Sequence, residues 1–148
     1  MKKRLAPRRL LNLGPALIVA LVFGAGLTVS TRAATLIVTN ANDSGAGSLR
    51  QIIAIAGPGG DTINFAPGLS GATILLTSGQ LRLTNYVTID ASALPAGIRI
   101  NGNASGRIFE VTGGKTVMLD SLTLTNGRVS GIGGANLSVG TLTVNRCT

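Results

Sequence analysis

The 148-residue sequence contains no histidine and no tryptophan, and its one cysteine is Cys147. Without histidine, these residues cannot form a Ser-His-Asp triad or a metal site that combines His with Cys. A single cysteine cannot form an internal disulfide. Cys147 is therefore interpreted as a small apolar side chain, and a disulfide to residues beyond the end of this chain is the alternative.

Aromatic residues make up only 3% of the chain and charged residues 12%. Six of the thirteen basic residues lie in the first 33 positions, so most of the net charge of +8 belongs to that segment. The remainder carries seven basic residues against five acidic ones, with no Lys/Arg cluster and no interleaved aromatic residues. This composition argues against a nucleic-acid partner.

The first 33 residues have the pattern of an export signal. "MKKRLAPRRL" is basic and runs into the apolar "LNLGPALIVALVFGAGLTV", and Thr31 and Ala33 provide the small residues that precede cleavage. An uncleaved membrane anchor is the alternative, but Gly and Pro interrupt the apolar run short of the roughly 18 residues of a spanning helix. We predict a signal peptide at 1–33 and a mature chain at 34–148 without a stable membrane span. The expected location is secreted, at the cell surface or at the outer membrane.

The segment "GSLRQIIAIAGPG" is predicted to form one short amphipathic helix. Ser48 and Gln51 are spaced as a capping box, and Gly57 followed by Pro58 ends the helix. The apolar residues recur at every third or fourth position: Leu49, Ile52, Ile53 and Ala56.

The rest of the mature chain consists of short alternating runs separated by Gly and Asn, a pattern typical of β-strands. Three families of run follow one another in strict rotation. The first family begins at Ile74, Ile98 and Leu122, the second at Leu81, Phe109 and Leu137, and the third at Val87, Val117 and Leu142. The respective intervals are 24 and 24, 28 and 28, and 30 and 25 residues.

This rotation predicts an all-β fold, a parallel β-helix of about three coils with three strands in each coil. Equivalent strands would lie directly above one another. The first and third residues of each run, such as Val87 and Ile89, should point inward and stack into apolar columns. A β-sandwich is the competing architecture, although it does not require the same three strand types in rotation.

Four segments, "DSGAGSLRQIIAIAGPGGDTINF", "TIDAS", "LTLTNG" and "GGANLSVGTLTVNRC", resemble the start of bacterial exported right-handed β-helix proteins. These proteins form the pectate-lyase-like superfamily, which includes polymorphic outer membrane protein and adhesin-like members. The resemblance covers Ala34–Thr148 and implies a right-handed coil whose exposed N-terminal end is capped by the helix at Ser48–Ala56. It implies no particular activity, because such scaffolds carry both polysaccharide-cleaving enzymes and non-catalytic surface proteins.

No catalytic, cofactor-binding or metal-binding residue is predicted. Asp90 and Asp120 end equivalent strands and can lie one above the other, yet with Asn145 they offer few of the six to eight oxygen ligands of Ca²⁺. We interpret both as turn residues, and calcium binding by the pair stays open. A ladder is expected from three asparagines: Asn85, Asn101 and Asn126. The outward positions read as isolated polar groups: Arg82, Thr84, Glu110 and Ser138.

The final segment "GTLTVNRCT" predicts a strand whose Leu142 and Val144 stack on Val117 and Leu119. No further turn follows to cover them. We therefore expect residues 34–148 to be the cap and first coils of a truncated β-helix, whose open C-terminal coil can self-associate.

Two classes of function remain. The first is a non-catalytic exported or cell-surface scaffold, adhesive or the start of a larger passenger domain, with surface carbohydrate or a host or cell-surface protein as its partner. The alternative is an N-terminal fragment of a carbohydrate-active enzyme, a β-helix of the polysaccharide lyase or glycoside hydrolase type. The outward positions offer no paired carboxylates and no aromatic platform for sugar, which favours the scaffold.

Overall fold

The computed structural model describes residues 32–129 and 136–148. One α-helix, one 3-10 turn at Pro67–Leu69 and eleven β-strands occur in this part of the chain. The helix α1 (Leu49–Ile55) lies between the first two strands. The strands are β1 (Thr35–Val38), β2 (Asp61–Phe65), β3 (Thr73–Leu75), β4 (Leu81–Leu83), β5 (Val87–Asp90), β6 (Ile98–Asn101), β7 (Phe109–Val111), β8 (Thr116–Asp120), β9 (Leu122–Thr125), β10 (Asn136–Ser138) and β11 (Thr141–Asn145).

All strands pair in parallel within three sheets, ordered β1-β2-β5-β8-β11, β3-β6-β9 and β4-β7-β10. From β2 onward, successive strands of the chain belong to successive sheets, so the backbone winds as a parallel solenoid of about four turns. β1 and β2, with α1 between them, both belong to the five-stranded sheet. The predicted all-β coil with three strands per turn and one short helix is confirmed. The estimate of about three coils is low, because β1 and β2 were not recognised as members of the third strand family.

The five-stranded sheet, which we call the long sheet, holds the best-defined apolar column. Ile63, Ile89 and Leu119 are in register on consecutive strands, and each is completely buried. The alternation of apolar and polar residues places these side chains inward because successive strand residues point to opposite faces. Burial of each such side chain contributes about 1.5–3 kcal/mol, so the columns supply most of the stability of the coil.

The helix α1 has the predicted cap and the predicted apolar face. Ser48 is the N-cap, and its hydroxyl accepts a hydrogen bond from the Gln51 N–H at 3.3 Å. The Gln51 side chain accepts in return from the Gly47 N–H, one residue before the cap, at 2.9 Å. The buried residues of the helix are those of the predicted stripe: Leu49, Ile52 and Ile53. Contacts to β1 and β4 place α1 over the outer end of the sheet formed by β4, β7 and β10.

In the long sheet, the strand registers follow the predicted intervals. Each of the two three-stranded sheets has one register that departs from the prediction. Val87 pairs with Val117 and Val117 with Leu142, as predicted. Ile74 pairs with Ile100 rather than with Ile98. This shift of two residues preserves the inward face, since the side-chain period of a strand is two. The turn before β3 sets the register, because the Gly71 N–H donates to the Gly97 carbonyl at 2.7 Å.

The second departure changes the face of a strand. Asn136, not Leu137, pairs with Phe109, and Leu137 pairs with Glu110. The preceding coil has four residues between β7 and β8, whereas only Val139 and Gly140 separate β10 from β11. With the register predicted from Leu137, Gly140 alone would have to make that turn. The strand is therefore shifted by one residue, which leaves Leu137 partly exposed.

Residues 1–31, which contain almost all of the predicted signal peptide, lie outside the described residues. In residues 32–129 and 136–148, no helix has the length and apolar character needed to span a membrane. At the other end, Thr148 donates to the Leu122 carbonyl and accepts from the Leu124 N–H, so it extends the pairing pattern of β9.

Candidate functional site

The chain has five carboxylates, all in the described part, and each accepts hydrogen bonds that hold the coil together. Asp61 is the most unexpected, because it occupies an inward position of the long sheet, in register with Val87. It is only 5% exposed. Its two carboxylate oxygens accept from the Ala34 N–H at 2.8 Å and the Gly57 N–H at 2.7 Å. The carboxylate thus satisfies two buried backbone N–H groups beside the first two strands that the structure describes.

Asp43 is the centre of what we call the cap network, formed with Arg50, Thr77 and Ser78. One carboxylate oxygen accepts from the Arg50 guanidinium at 2.6 Å. The other accepts from the Thr77 hydroxyl at 3.0 Å and from the Ser78 hydroxyl and N–H. Arg50 also donates to the carbonyls of Gly79 and Gln80. The cap network therefore joins the segment around α1 to the turn that precedes β4.

The protonation of Asp43 follows from these contacts. Burial raises the pKa of this carboxyl, but the hydrogen bonds from Ser78, Arg50 and Thr77 and the positive charge of Arg50 outweigh it. The pKa of Asp43 therefore lies well below its usual range. The carboxylate stays charged at every physiological pH and acts as a fixed acceptor rather than as a proton donor.

Asp90 and Asp120 do lie one above the other, on β5 and β8. Asp90 accepts from the Ser92 N–H two residues later, at 2.8 Å, which is the predicted turn role. Asp120 accepts from Ser121, from the Asn145 amide and twice from the Arg146 guanidinium. These donors occupy both oxygens, so Asp120 has little capacity left for a cation.

The hydrogen bond from Ser121 makes the largest contribution to the pKa of Asp120, which it lowers. Burial opposes this effect, and the hydrogen bonds from Arg146 and Asn145 and the charge of Arg146 add to it. The pKa therefore lies below its ordinary value. No group of three or more His, Cys, Asp or Glu side chains within 32–129 and 136–148 is arranged to hold a metal ion.

Glu110 is part of a cross-strand contact, which corrects its interpretation as an isolated polar group. It lies in register with Arg82 on β4, and the guanidinium of Arg82 contacts its carboxylate at 2.8 Å. The Gln80 amide donates to the same oxygen at 2.7 Å. Arg82 is 65% exposed at its side chain, so the pair stabilises the neighbouring strands only modestly.

The predicted asparagine ladder forms in part. The Asn126 amide donates to the Asn101 side-chain oxygen at 3.1 Å, so these two residues stack on consecutive coils. Asn85 does not join them, since its amide donates to the Ala56 carbonyl at the end of α1, at 2.6 Å. The turn after β4 thus contacts the helix rather than the turn of the next coil.

Cys147 packs against the core, as predicted for a small apolar side chain. Its sulfur accepts from the Leu122 N–H at 3.4 Å and is half-buried. A pairing with residues outside these 148 stays a prediction.

A cleft of about 340 Å³ lies between α1 and β4. Its apolar lining comes from Ile53, Ala54 and Leu81, and its charged lining from Arg50 and Arg82. The sequence pattern does not predict this cleft, because the two arginines lie 32 positions apart and only the packing of the helix on β4 brings them together. Most donors of Arg50 are already bound within the cap network and to the Gly79 and Gln80 carbonyls, so Arg82 is the group that faces solvent.

Comparisons of the chain with models of known protein families and with curated protein sequences find no match. The described residues therefore establish a parallel β-solenoid, and the resemblance to the pectate-lyase-like superfamily stays a prediction from the quoted segments.

Proposed function

We propose that the chain is an exported, non-catalytic β-helix scaffold, adhesive in function and located at the bacterial cell surface or outer membrane. In this proposal it resembles the adhesin-like members of the pectate-lyase-like superfamily. Its partner is a surface carbohydrate or a cell-surface protein, which it contacts through the outward faces of its sheets.

The observation that carries the proposal is the use of the carboxylates. Glycoside hydrolysis uses a pair of Asp or Glu residues, of which one protonates the leaving group and the other activates water or attacks the sugar as a nucleophile. In a chain without histidine, the carboxylates are the main candidates for such chemistry. All five accept hydrogen bonds from turns, neighbouring strands or the cap, as described above. These contacts give the carboxylates a structural role in the coil, which supports a non-catalytic scaffold rather than a glycosidase.

Export is tested by expressing the full chain in a bacterial host that has an outer membrane. Intact-mass measurement on protein from the envelope or medium should show the loss of residues 1–33, with Ala34 as the new N-terminus. An Ala33→Leu variant should be cleaved poorly, because a small residue is required at that position. A full-length mass found only in the soluble cytoplasmic fraction would contradict export.

Binding and turnover are tested on the same material. The exported chain should be retained on intact cells and should release no new reducing or unsaturated sugar ends from a panel of polysaccharides. Periodate treatment of the cells would abolish retention if the partner is carbohydrate, and protease treatment if it is protein. Sugar cleavage that disappears in the Glu110→Gln or Asp120→Asn variant would favour the carbohydrate-active enzyme instead.

A further inference from the structure

The sequence contains two Asn-Gly pairs, Asn101-Gly102 and Asn126-Gly127, which lie at the ends of the adjacent strands β6 and β9. In such a pair the backbone nitrogen of the glycine can attack the side-chain carbonyl carbon of the asparagine. Glycine favours this attack, because it has no Cβ to obstruct the approach and its backbone rotates more freely than that of other residues. The fold then decides which of the two glycine nitrogens is free to react.

The pair Asn101-Gly102 is held in place by contacts on both of its residues. The Gly102 N–H donates to the Thr125 carbonyl at 2.8 Å. Gly102 is buried, and a Cβ at this position would lie 2.8 Å from the Asn126 carbonyl oxygen, so the backbone is closely packed here. The Asn101 side-chain oxygen accepts from the Asn103 N–H at 2.8 Å and from the Asn126 amide at 3.1 Å. These contacts would have to open before Gly102 could attack Asn101.

The pair Asn126-Gly127 is much less constrained. Asn126 is exposed, and its side-chain amide donates to Asn101. The Gly127 N–H forms no hydrogen bond with residues 32–129 and 136–148. The Asn126 carbonyl accepts from the Ala104 N–H at 2.9 Å, and this bond restrains the peptide group between Asn126 and Gly127. An exposed turn opens at a lower free-energy cost than a buried ladder, because fewer contacts are lost.

We propose that Asn126 is a site of spontaneous deamidation, and that its reaction breaks a contact between two coils. The Gly127 nitrogen loses its proton and bonds to the side-chain carbonyl carbon of Asn126. The bond from that carbon to the side-chain nitrogen breaks, and the nitrogen leaves as ammonia with the proton. The cyclic imide that results is hydrolysed by one water molecule at either of its carbonyl carbons, which gives aspartate or isoaspartate. No atom changes its oxidation state.

Either product alters the contact between the two turns. A carboxylate cannot donate to the Asn101 side-chain oxygen, so two acceptor oxygens would face each other where a hydrogen bond had been. Isoaspartate also adds one carbon to the backbone before Gly127. This insertion displaces the neighbouring Arg128 N–H, which donates to the Gly106 carbonyl at 2.8 Å. With time, the coil therefore acquires one negative charge and loses a link at this corner.

Ageing of the full chain at neutral pH tests the site. Incubation in water enriched in heavy oxygen labels the carboxylate that forms during ageing, and digestion in ordinary water leaves later products unlabelled. Trypsin cleaves after Lys and Arg, so it releases the two pairs in separate peptides, 100–107 and 116–128. Labelled aspartate and isoaspartate should accumulate at Asn126 at least tenfold faster than at Asn101. Equal rates in the folded chain would overturn the proposal.

The same chain in concentrated urea is the reference, because both pairs are then free of the contacts of the coil. Asn101 and Asn126 should react at similar rates in urea, and folding should slow only the reaction at Asn101 by tenfold or more. If folding protects Asn126 as strongly as Asn101, the assignment of a reactive turn is wrong. Gly127→Ala should slow the reaction at Asn126, since a methyl group then obstructs the attack. An unchanged rate in this variant would refute the cyclic route.

The effect on the contact between the coils is tested with Asn126→Asp, which has the structure of one product. Its thermal unfolding midpoint should fall by about 4 °C, because a hydrogen bond between two turns is lost. Asn103→Asp is the matched control. Asn103 is also exposed, its φ is 57° against 54° at Asn126, and its side chain forms no hydrogen bond within residues 32–129 and 136–148. The midpoint of the control should change by less than about 1 °C. Equal decreases would show that the added charge, not the lost contact, weakens the coil, and would overturn this part of the proposal.

Discussion

β1 and β11 are the terminal strands of the long sheet, and each has one neighbouring strand. The apolar side chains at these two ends are buried to very different extents. At the N-terminal end, Val38 and Leu49 are completely buried, and the cap network joins α1 to the first complete turn. At the C-terminal end, Val144 occupies an inward register position and is still 50% exposed. Besides the ladder with β8, the side-chain contacts at this end include the hydrogen bond from Asn145 to Asp120 and the partly exposed ion pair of Arg146 with Asp120.

This difference shows where the stability of a parallel coil comes from. A strand in the middle of the stack gains apolar contacts and hydrogen bonds from both neighbours, whereas a terminal strand gains them from one. At the N-terminal end of the described coil, α1 packs on β1 and β4, and the Asp61 carboxylate accepts from the Ala34 and Gly57 N–H groups. The C-terminal end has no such substitute among the described residues, so its strand should unfold locally at the lowest cost.

The largest effect is expected in β8, which has a neighbouring strand on each side in the long sheet. Leu119→Asp places an unpaired carboxylate at a completely buried position of the long sheet, which should cost several kcal/mol. Met118→Asp, one residue away on the outward face and 37% exposed, should change the free energy of unfolding by less than about 1 kcal/mol. Urea denaturation measures both, and similar costs would contradict the assignment of the two faces.

The next largest effect is expected when one apolar side chain is truncated at each end of the coil and the losses of stability are compared. Leu49→Ala in α1 should destabilise the chain by about 2–5 kcal/mol, because the leucine is completely buried under the cap. Val144→Ala removes a half-exposed side chain and should cost less than about 1 kcal/mol. Thermal unfolding of the two variants under identical conditions measures the difference. Equal losses would mean that the two ends are equally well covered.

A smaller effect is expected from the cap network alone. Asp43→Asn replaces a charged acceptor of four hydrogen bonds and should lower the free energy of unfolding by about 1–3 kcal/mol. Asp90→Asn is the control, since its side-chain oxygen can still accept from the Ser92 N–H. Chemical denaturation at neutral pH should show little change for the control. Comparable losses of stability in the two variants would indicate that the loss of a negative charge, not the hydrogen bonds of the cap network, lowers the free energy of unfolding.

The same network predicts a dependence on pH. The folded pKa of Asp43 is lower than that of an unfolded aspartate, about 3.9, so its stabilisation is complete well above that value. It is lost as pH falls from there toward the folded pKa, by at most about 1.4 kcal/mol per pH unit. The stability difference between the wild-type chain and Asp43→Asn should therefore narrow between pH 6 and pH 2.5. A constant difference would contradict this assignment.

The smallest effect is expected at the open end. Arg146 is 62% exposed at its side chain, so Arg146→Ala should lower the unfolding midpoint by no more than about 3 °C. Added salt should reduce even this difference by screening the exposed ion pair. A loss as large as that of Leu49→Ala would show that this pair is the true cap of the C-terminal end.

The sequence was sufficient to predict the coil because one property, apolar alternation, repeats in it. Val87 with Ile89, Val117 with Leu119 and Leu142 with Val144 are spaced so that the long-sheet register could be predicted residue by residue. β2 was not predicted, because Asp61 lies at an inward position where β5, β8 and β11 have Val or Leu. β1 escaped because α1 follows it and interrupts the rotation of three strand types.

The polar contacts of the candidate site could not be predicted from the same pattern. Asp43 accepts a hydrogen bond from the Ser78 N–H, 35 residues later in the sequence. Arg82 contacts Glu110 because two turns of different length bring β4 and β7 into register. Turn length also decides the register of β10, where two residues replace four. These contacts depend on the exact path of the turns, which apolar periodicity does not specify.

The parallel stacking has a consequence for how the chain acquires its structure. Each strand of the long sheet pairs with one found 25 to 30 residues later, and no paired strands are much farther apart in sequence. Such a ladder can grow one turn at a time, each finished turn serving as the template for the next. Because synthesis proceeds from the N-terminus, the capped turn emerges first and can order before the last strand exists. Folding of this chain should therefore be directional, with β11 the last strand to gain protection from hydrogen exchange and the first to lose it.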